Sequence, residues 1–389
     1  MKRLIKESYR FLTLRILFPL QYQRFTRRPM QEKKVVFIES QLPALSESMQ
    51  VLYERLEQEG GYELSVHCLR EAFVGKGTFI RRALQCLKDM ADAKNVFLCD
   101  ASRVVSCIRP RRETVITQLW HGCGAFKKFG MSTSELRFGG NRQEYERYPY
   151  YGNLDYVTVS SPEVIWAYKE AMNLRNGHTQ VLPIGISRTD IFFRESFLKS
   201  AKEKVQAVLG EADERKILLY APTFRGNVSC AQAPDALDIG KLKKSLGESY
   251  RLLIKHHPVA KNRPVISQKD ADFAMDVTEK LRIEELLCVS DICISDYSSL
   301  VFEYSLFERP MIFFAYDLED YGDWRGFYYD YEELTPGPVV RTTEEIIDYV
   351  LHVEERFEKE KVVNFKNKFM SACDGRATER VIDLVIKRR

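Results

Sequence analysis

The sequence lacks the marks of several protein classes. Its nine cysteines, at positions 68, 86, 99, 107, 123, 230, 288, 293 and 373, form no CxxC pair and mostly sit in apolar runs. That pattern excludes a disulfide framework and a spaced zinc site, and it fits reduced thiols in a cytosolic protein. No apolar run reaches the roughly 20 residues that cross a bilayer. The densest, Phe11 to Leu20, is broken by Arg15. No small-residue cleavage site follows it, so a secretory signal is not expected. Internal repeats and low-complexity tracts are absent. Histidine is scarce, with six in 389 residues: His67, His121, His178, His256, His257 and His352.

What is present suits a globular protein of two domains. Hydrophobic residues make up 45% and charged residues 29%, enough apolar side chain for real cores at this length. The net charge of +4 is unevenly placed: residues 1–30 carry eight Lys or Arg against Glu7 alone, so the rest of the chain is net acidic. "LIKESYRFLTLRILFPLQYQRF" interleaves those cations with apolar residues at helical spacing. It reads as a basic amphipathic helix lying on an anionic membrane surface, the alternative being a helix packed on the protein itself. Nucleic acid is not expected as a partner, because no basic run interleaved with aromatics and no binding motif occurs elsewhere.

From residue 34 the pattern alternates. "KVVFIES", "YELSVHCL", "NVFLCD", "ETVITQLWHG", "YVTVSS" and "VLPIGISRTDIFF" read as strands with helical stretches between them. A second series follows, "KILLYAPTF", "YRLLIKHHP", "DICISD" and "PMIFF", with helices at 196–209, 239–247, 279–289 and 298–307. Near-continuous apolar strands alternating with helices predict parallel sheets covered on both faces. Two series split near 185–195 predict two Rossmann-like domains facing a cleft.

Ligands of open parallel sheets bind beyond the carboxyl ends of the strands. The polar clusters "WHGCG", "APTFRG", "KHHP" and "SDYSS" all fall there. In the last, Asp296 is expected to cap a helix beginning near Ser298. The amides and hydroxyls of Ser298 and Ser299 then point at an anion, where a helix N-terminus favours negative charge. Glu303, one to two turns on, could accept hydrogen bonds from the vicinal hydroxyls of a ribose. Phosphates at the cap and an acid for the ribose describe a nucleotide-diphosphate site.

"QLWHGCGAFKKFG", "YAPTFRG", "SDICISDYSSLVFEYSLFERPMIFFAYDLEDY" and "RGFYYDYEELTPGPVV" resemble the CDP-glycerol:poly(glycerophosphate) glycerophosphotransferase family, the teichoic acid primases and polymerases with their ribitol-phosphate counterparts. The likeness covers about residues 35–375. It implies a GT-B fold with the donor nucleotide in the C-terminal domain and the acceptor on the N-terminal one. It also implies a peripheral enzyme at the cytoplasmic face of the bacterial membrane, acting on an undecaprenyl-diphosphate-linked saccharide. CDP-glycerol and CDP-ribitol stay equally open as donors, since they share the CDP half that these motifs would bind. A GT-B glycosyltransferase using a sugar nucleotide is the alternative. Two departures, Phe224 where the family often carries Trp and "WHGCGAFKK" in place of "WHGTPLKK", bear on the acceptor and the polyol.

The expected organisation is a membrane-associating segment (1–30), an acceptor domain (31–190) and a CDP-alditol donor domain (191–389), the last helix free to pack back on the first domain. Transfer must deprotonate an acceptor hydroxyl, hold a diphosphate and release CMP. Histidine, with an ordinary pKa of about 6.5, suits the proton step. His121, between a strand and a glycine turn, is the expected base. His257 matches the family's second histidine and is assigned to the β-phosphate or its leaving oxygen; His256 should point to the opposite strand face. Arg325 matches a family arginine, and its planar guanidinium suits a diphosphate. Arg225 and Lys255 are further phosphate partners, and Thr223 lines the same pocket. Gly122, Lys127 and Lys128 are placed on the acceptor side. No cofactor is required, although Asp296 could help hold Mg²⁺.

Overall fold

The computed structural model describes residues 2–174, 177–210, 213–226 and 230–387. The side chains of residues 2–4 and 323 fall outside that description. In the first half, β1 (Gln31–Glu39), β2 (Glu63–Cys68), β3 (Ala93–Leu98), β4 (Val115–Gln118), β5 (Tyr156–Thr158) and β6 (Gln180–Leu182) form a wholly parallel sheet, ordered β2-β1-β3-β4-β5-β6. In the second, β7 (Lys216–Tyr220), β8 (Tyr250–Ile254), β9 (Ala274–Asp276), β10 (Ile292–Ser295), β11 (Met311–Phe314) and β12 (Val339–Val340) form another, ordered β12-β11-β10-β7-β8-β9. The two Rossmann-like sheets are those the alternation predicts. The direction of winding in the second reverses between β7 and β10, so a crevice opens beyond their carboxyl ends.

The apolar runs follow from this layering. In β1, Val35 and Phe37 pack with Leu52 and Leu56 on one face, while Val36 and Ile38 pack with Phe79 and Leu87 on the other. Successive side chains of a strand point to opposite faces, so a strand covered on both sides must be apolar throughout. Each such side chain stabilises the fold by about 1.5–3 kcal/mol relative to exposure. "YRLLI" of β8 is buried at every position for the same reason.

Two segments cross between the domains. Phe365 and Phe369 of the helix Lys359–Phe369 pack on Phe302 at ring distances of 4.9 and 5.3 Å. The chain then returns to the first domain, where Val381, Ile382 and Val385 join Val35 and Phe37. Asp190 accepts the first amides of that last helix, from Ala377 (3.0 Å) and Thr378 (2.7 Å).

One local expectation is corrected, and two features are added to the sequence reading. "VLPIGISRTDIFF" is a strand only to Leu182; Pro183 has no N–H for a ladder, and Ser187–Phe193 is a 3₁₀ turn joining the two halves. The strands β9 and β12, of three and two residues, are too short to leave a pattern. The N-terminal helix, continuous from Lys2 to Phe25 through a π turn, packs on its own protein along one face, where Leu14, Phe18 and Tyr22 are buried. Arg10 pairs with Glu144, and Glu7 pairs with Arg147. Its other face leaves Ile5 (57%), Leu12 (56%), Ile16 (39%) and Leu20 (59%) exposed.

Candidate active site

The loop after β4 carries His121. Trp120 just before it has φ of +61°, a strained conformation for a bulky residue that persists only where surroundings enforce it. The enforcement is visible. Phe129, Tyr168 and Tyr151 surround the indole at ring distances of 4.8, 6.0 and 6.1 Å. Thr158 donates to the Leu119 carbonyl (3.0 Å), and Tyr168 to those of Gly122 and Gly124 (both 3.2 Å). Gly124, at φ +63°, admits no side chain, because a Cβ there would lie 2.4 Å from the Phe302 ring of the second domain.

His121 stacks on Trp120 at 4.4 Å, and its Nδ1 lies 2.8 Å from the Cys99 carbonyl oxygen. A carbonyl only accepts, so Nδ1 of the neutral ring carries the proton and Nε2 presents a lone pair. The ring is exposed. The loop also faces the other domain, since a Cβ on Gly122 would sit 3.5 Å from Ser299 Oγ.

In the second domain the loops after β7 and β10 are lashed together by Asp296. Its Oδ1 accepts the amides of Thr223 (2.8 Å) and Tyr297 (2.7 Å), and its Oδ2 accepts Arg225 Nη1 (2.9 Å). Arg225 also grips Asp317 with two nitrogens (2.6 and 3.0 Å) and donates to the Thr223 carbonyl (2.7 Å). The expected helix cap is therefore corrected. The helix runs Leu300–Tyr304, Ser299 precedes it without a side-chain capping bond, and both Asp296 oxygens serve the loops. Thr223 Oγ1 is buried and without a hydrogen-bond partner among the described residues.

The domains meet where residues 126–128 run antiparallel to 326–328. Lys127 bridges Phe327, the Lys128 amide donates to the Gly326 carbonyl (3.0 Å), and the Tyr328 amide donates to that of Phe126 (3.1 Å). This pairing carries Lys127 across to the charges of the second domain. Burial, then Arg325, push its ammonium down to about 7. The Arg325 guanidinium lies 3.5 Å over the Phe138 ring, and burial lowers it too. Neither cation has a carboxylate partner among the described residues. His257 sits nearby. The residue is exposed, yet desolvation by its surroundings, then Lys127, push its ring down to about 4. The Val259 amide donates to His257 Nδ1 (3.3 Å), so the neutral ring carries its proton on Nε2. The two histidines thus hold opposite tautomers, His121 with a free Nε2 lone pair and His257 with a free Nε2–H.

Other sequence candidates stand differently from expectation. Arg225 has every nitrogen committed to protein oxygens. Lys255 donates to the carbonyls of Thr278 (2.7 Å) and Leu281 (2.5 Å), away from the cation cluster. His256 is buried, as strand alternation requires. Glu303 is buried rather than open to a ribose, accepting Arg188 Nη2 at 2.6 Å with Cys123 Sγ 3.5 Å away. Arg188 itself was not singled out by sequence reading. A surface concavity of about 970 Å³ lies elsewhere, at the starts of β7 and β8 among Arg215, Lys216, Tyr250 and His352.

The family profile described as CDP-glycerol:poly(glycerophosphate) glycerophosphotransferase matches residues 20–387. The chain is 32% identical over 362 residues to a teichoic acid ribitol-phosphate primase of Bacillus spizizenii, spanning 92% of each. It is 33% identical over 390 residues to the teichoic acid poly(ribitol-phosphate) polymerase of that organism, spanning 98% of this chain and 61% of the polymerase. A solved structure of the wall teichoic acid polymerase TagF, a histidine-to-asparagine variant soaked with CDPG, superposes with a TM-score of 0.75 at 21% identity over 98% of this chain and 96% of that one. This last likeness is one of fold, GT-B.

Proposed function

As the chain belongs to the CDP-glycerol:poly(glycerophosphate) glycerophosphotransferase family and is an enzyme transferring glycerol or ribitol phosphate in teichoic acid synthesis, we propose that it takes the alditol phosphate from a CDP-alditol and places it on a hydroxyl of a membrane-anchored, lipid-linked acceptor. The observation that carries this reading is the pair of opposed tautomers beside two unpaired cations. His121 Nε2 removes the proton of the acceptor hydroxyl. The freed oxygen attacks the β-phosphorus, the bond from that phosphorus to the bridging oxygen breaks, and CMP leaves. His257 Nε2–H donates to the β-phosphate or the leaving oxygen. Lys127 and Arg325 hold the diphosphate, where fixed cations in a partly dry cleft stabilise the developing charge without reorganising. Ser298, Ser299 and Thr223 Oγ1 supply further donors. Asp296 and Arg225 shape the loops, and Lys128 remains on the acceptor side with Gly122.

Donor binding should depend on pH through Lys127. In the free enzyme its ammonium titrates at about 7. A bound diphosphate favours the charged form and raises that value. Binding then takes up a proton between the two values, so affinity falls as pH rises through that window and is unaffected below it. Calorimetry above pH 7 in two buffers of unequal ionisation enthalpy should detect the uptake, and Lys127→Met should remove it. Equal heats for the unsubstituted enzyme would take Lys127 out of the diphosphate site.

The outer face of the N-terminal helix supplies the membrane contact in this reading. Ile5, Leu12, Ile16 and Leu20 form an exposed apolar stripe, and cations of residues 1–30 lie along the same helix. Among the described residues no helix is long and apolar enough to cross a membrane. Cations near an anionic surface contribute about 1 kcal/mol each, screened by salt. Deleting residues 1–30 would uncover Leu14, Phe18 and Tyr22, so the sharper variant is Leu12→Ser/Ile16→Ser/Leu20→Ser. It should pellet less with anionic vesicles, lose activity on membrane-embedded acceptor and keep activity on a soluble analogue. Co-sedimentation equal to that of the unsubstituted protein would remove this face from the membrane.

A further inference from the structure

We propose that Arg188 is a positioning residue that ties the His121 loop to the donor-domain helix Leu300–Tyr304 and so fixes the placement of the base. The inference rests on the reading of His121 given above.

Arg188 lies on the 3₁₀ turn Ser187–Phe193, the connection between the two sheets. Its Nη1 donates to the His121 carbonyl (3.2 Å), and its Nη2 donates to Glu303 Oε2 (2.6 Å). Glu284 Oε1, on the helix Ile283–Val289, is 3.8 Å from the same nitrogen. The side chains of Arg188, Glu303 and Glu284 are 15%, 2% and 4% exposed. One guanidinium therefore spans the catalytic loop and two elements of the second domain. Only a rigid planar fork holds such contacts at once, because an ammonium on a flexible stem is a single point charge.

The contact reaches the chemistry through the backbone. The His121 carbonyl and ring belong to one residue, and the ring is fixed by Nδ1 to the Cys99 carbonyl. Shifting the carbonyl moves Nε2 relative to the acceptor hydroxyl. On the other side, Glu303 shares its oxygens between Arg188 and Cys123 Sγ. Two buried acids beside one cation keep the guanidinium within the cluster.

The test compares the unsubstituted enzyme with Arg188→Gln and Arg188→Lys. Calorimetry with CDP-glycerol and CDP-ribitol measures binding, steady-state assay at saturating substrates measures kcat, and hydrogen exchange measures protection of the 120–124 amides. Both variants should bind the donor with affinity within about threefold of the original and lose kcat by about 10²-fold, the order expected of a 1 Å misplacement. Exchange at 120–124 should quicken, and dilute guanidinium ion should restore part of the kcat of the Gln variant. A merely structural role would lower the fraction of binding-competent protein and leave kcat per competent site unchanged. That result, or an unaltered kcat in either folded variant, overturns the proposal. If the Gln variant does not fold, the Lys variant decides by the same criteria. If the unsubstituted enzyme releases no CMP from either donor, the reaction reading has failed. The exchange measurement then decides alone, and unchanged protection of 120–124 overturns the role of Arg188.

Discussion

His121→Ala should turn over CDP-alditol about 10²–10⁴-fold more slowly than the unsubstituted enzyme, the usual loss on removing a general base, while binding the donor as before. The separation follows from where the residue sits. His121 belongs to the first domain, its Nδ1 engaged by the Cys99 carbonyl, whereas the groups assigned to the diphosphate cluster at Lys127, Arg325 and His257. Removing the ring takes away the Nε2 lone pair and a stacking partner of Trp120, but no group assigned to the diphosphate. The loop keeps its hydrogen bonds from Thr158, Tyr168 and Arg188, all made to backbone carbonyls. Calorimetric donor affinity and single-turnover CMP release, measured on the same preparation, check both halves. Unreduced turnover at saturating acceptor would remove His121 from the proton step.

Arg325→Ala carries the largest expected effect on donor binding. A guanidinium without a carboxylate partner among the described residues, held over the Phe138 ring at 3.5 Å, is placed for an anion from outside the chain. Charged hydrogen bonds contribute about 1.5–3 kcal/mol each, so losing one should weaken CDP-alditol roughly 10–100-fold. Arg225→Ala is the instructive contrast. Arg225 already satisfies Asp296, Asp317 and the Thr223 carbonyl, so its removal should unfasten two loops and lower thermal stability as well as affinity. Titration of CDP-glycerol and CDP-ribitol against Arg325→Ala, beside a melting curve, distinguishes the two. Undiminished affinity would sink the assignment of Arg325 to the diphosphate.

The fold was legible because its signal is repeated. Strands buried on both faces must be apolar at every position, and "VVFI" or "YRLLI" says so wherever it occurs. The site was half legible. Strand ends carrying "WHG", "APTFRG", "KHHP" and "SDYSS" located the loops, but not the direction of each side chain within them. Lys255 and Arg225 are cations at the right ends of the right strands, yet one turns to the carbonyls of Thr278 and Leu281 and the other to Asp296 and Asp317. Lys127 reads as acceptor-side from its position in the chain. Only the pairing of 126–128 with 326–328, some 200 residues apart, brings it to Arg325. Arg188 stands in a connection with no motif around it, and its meaning lies in three partners that are distant in sequence. The N-terminal helix offered two readings from one amphipathic pattern. Leu14, Phe18 and Tyr22 face the protein, whereas Ile5, Leu12, Ile16 and Leu20 do not.

The central claim is a transfer of alditol phosphate with release of CMP. Incubating the purified protein with a lipid-linked saccharide acceptor and, in parallel, CDP-glycerol, CDP-ribitol and UDP-sugars tests it most directly, with CMP quantified and the acceptor weighed by mass spectrometry. The account predicts an acceptor heavier by whole alditol-phosphate units, one CMP for each unit added, and loss of both signals in His121→Ala. An acceptor that gains a sugar from a UDP-sugar while both CDP-alditols remain intact would contradict it.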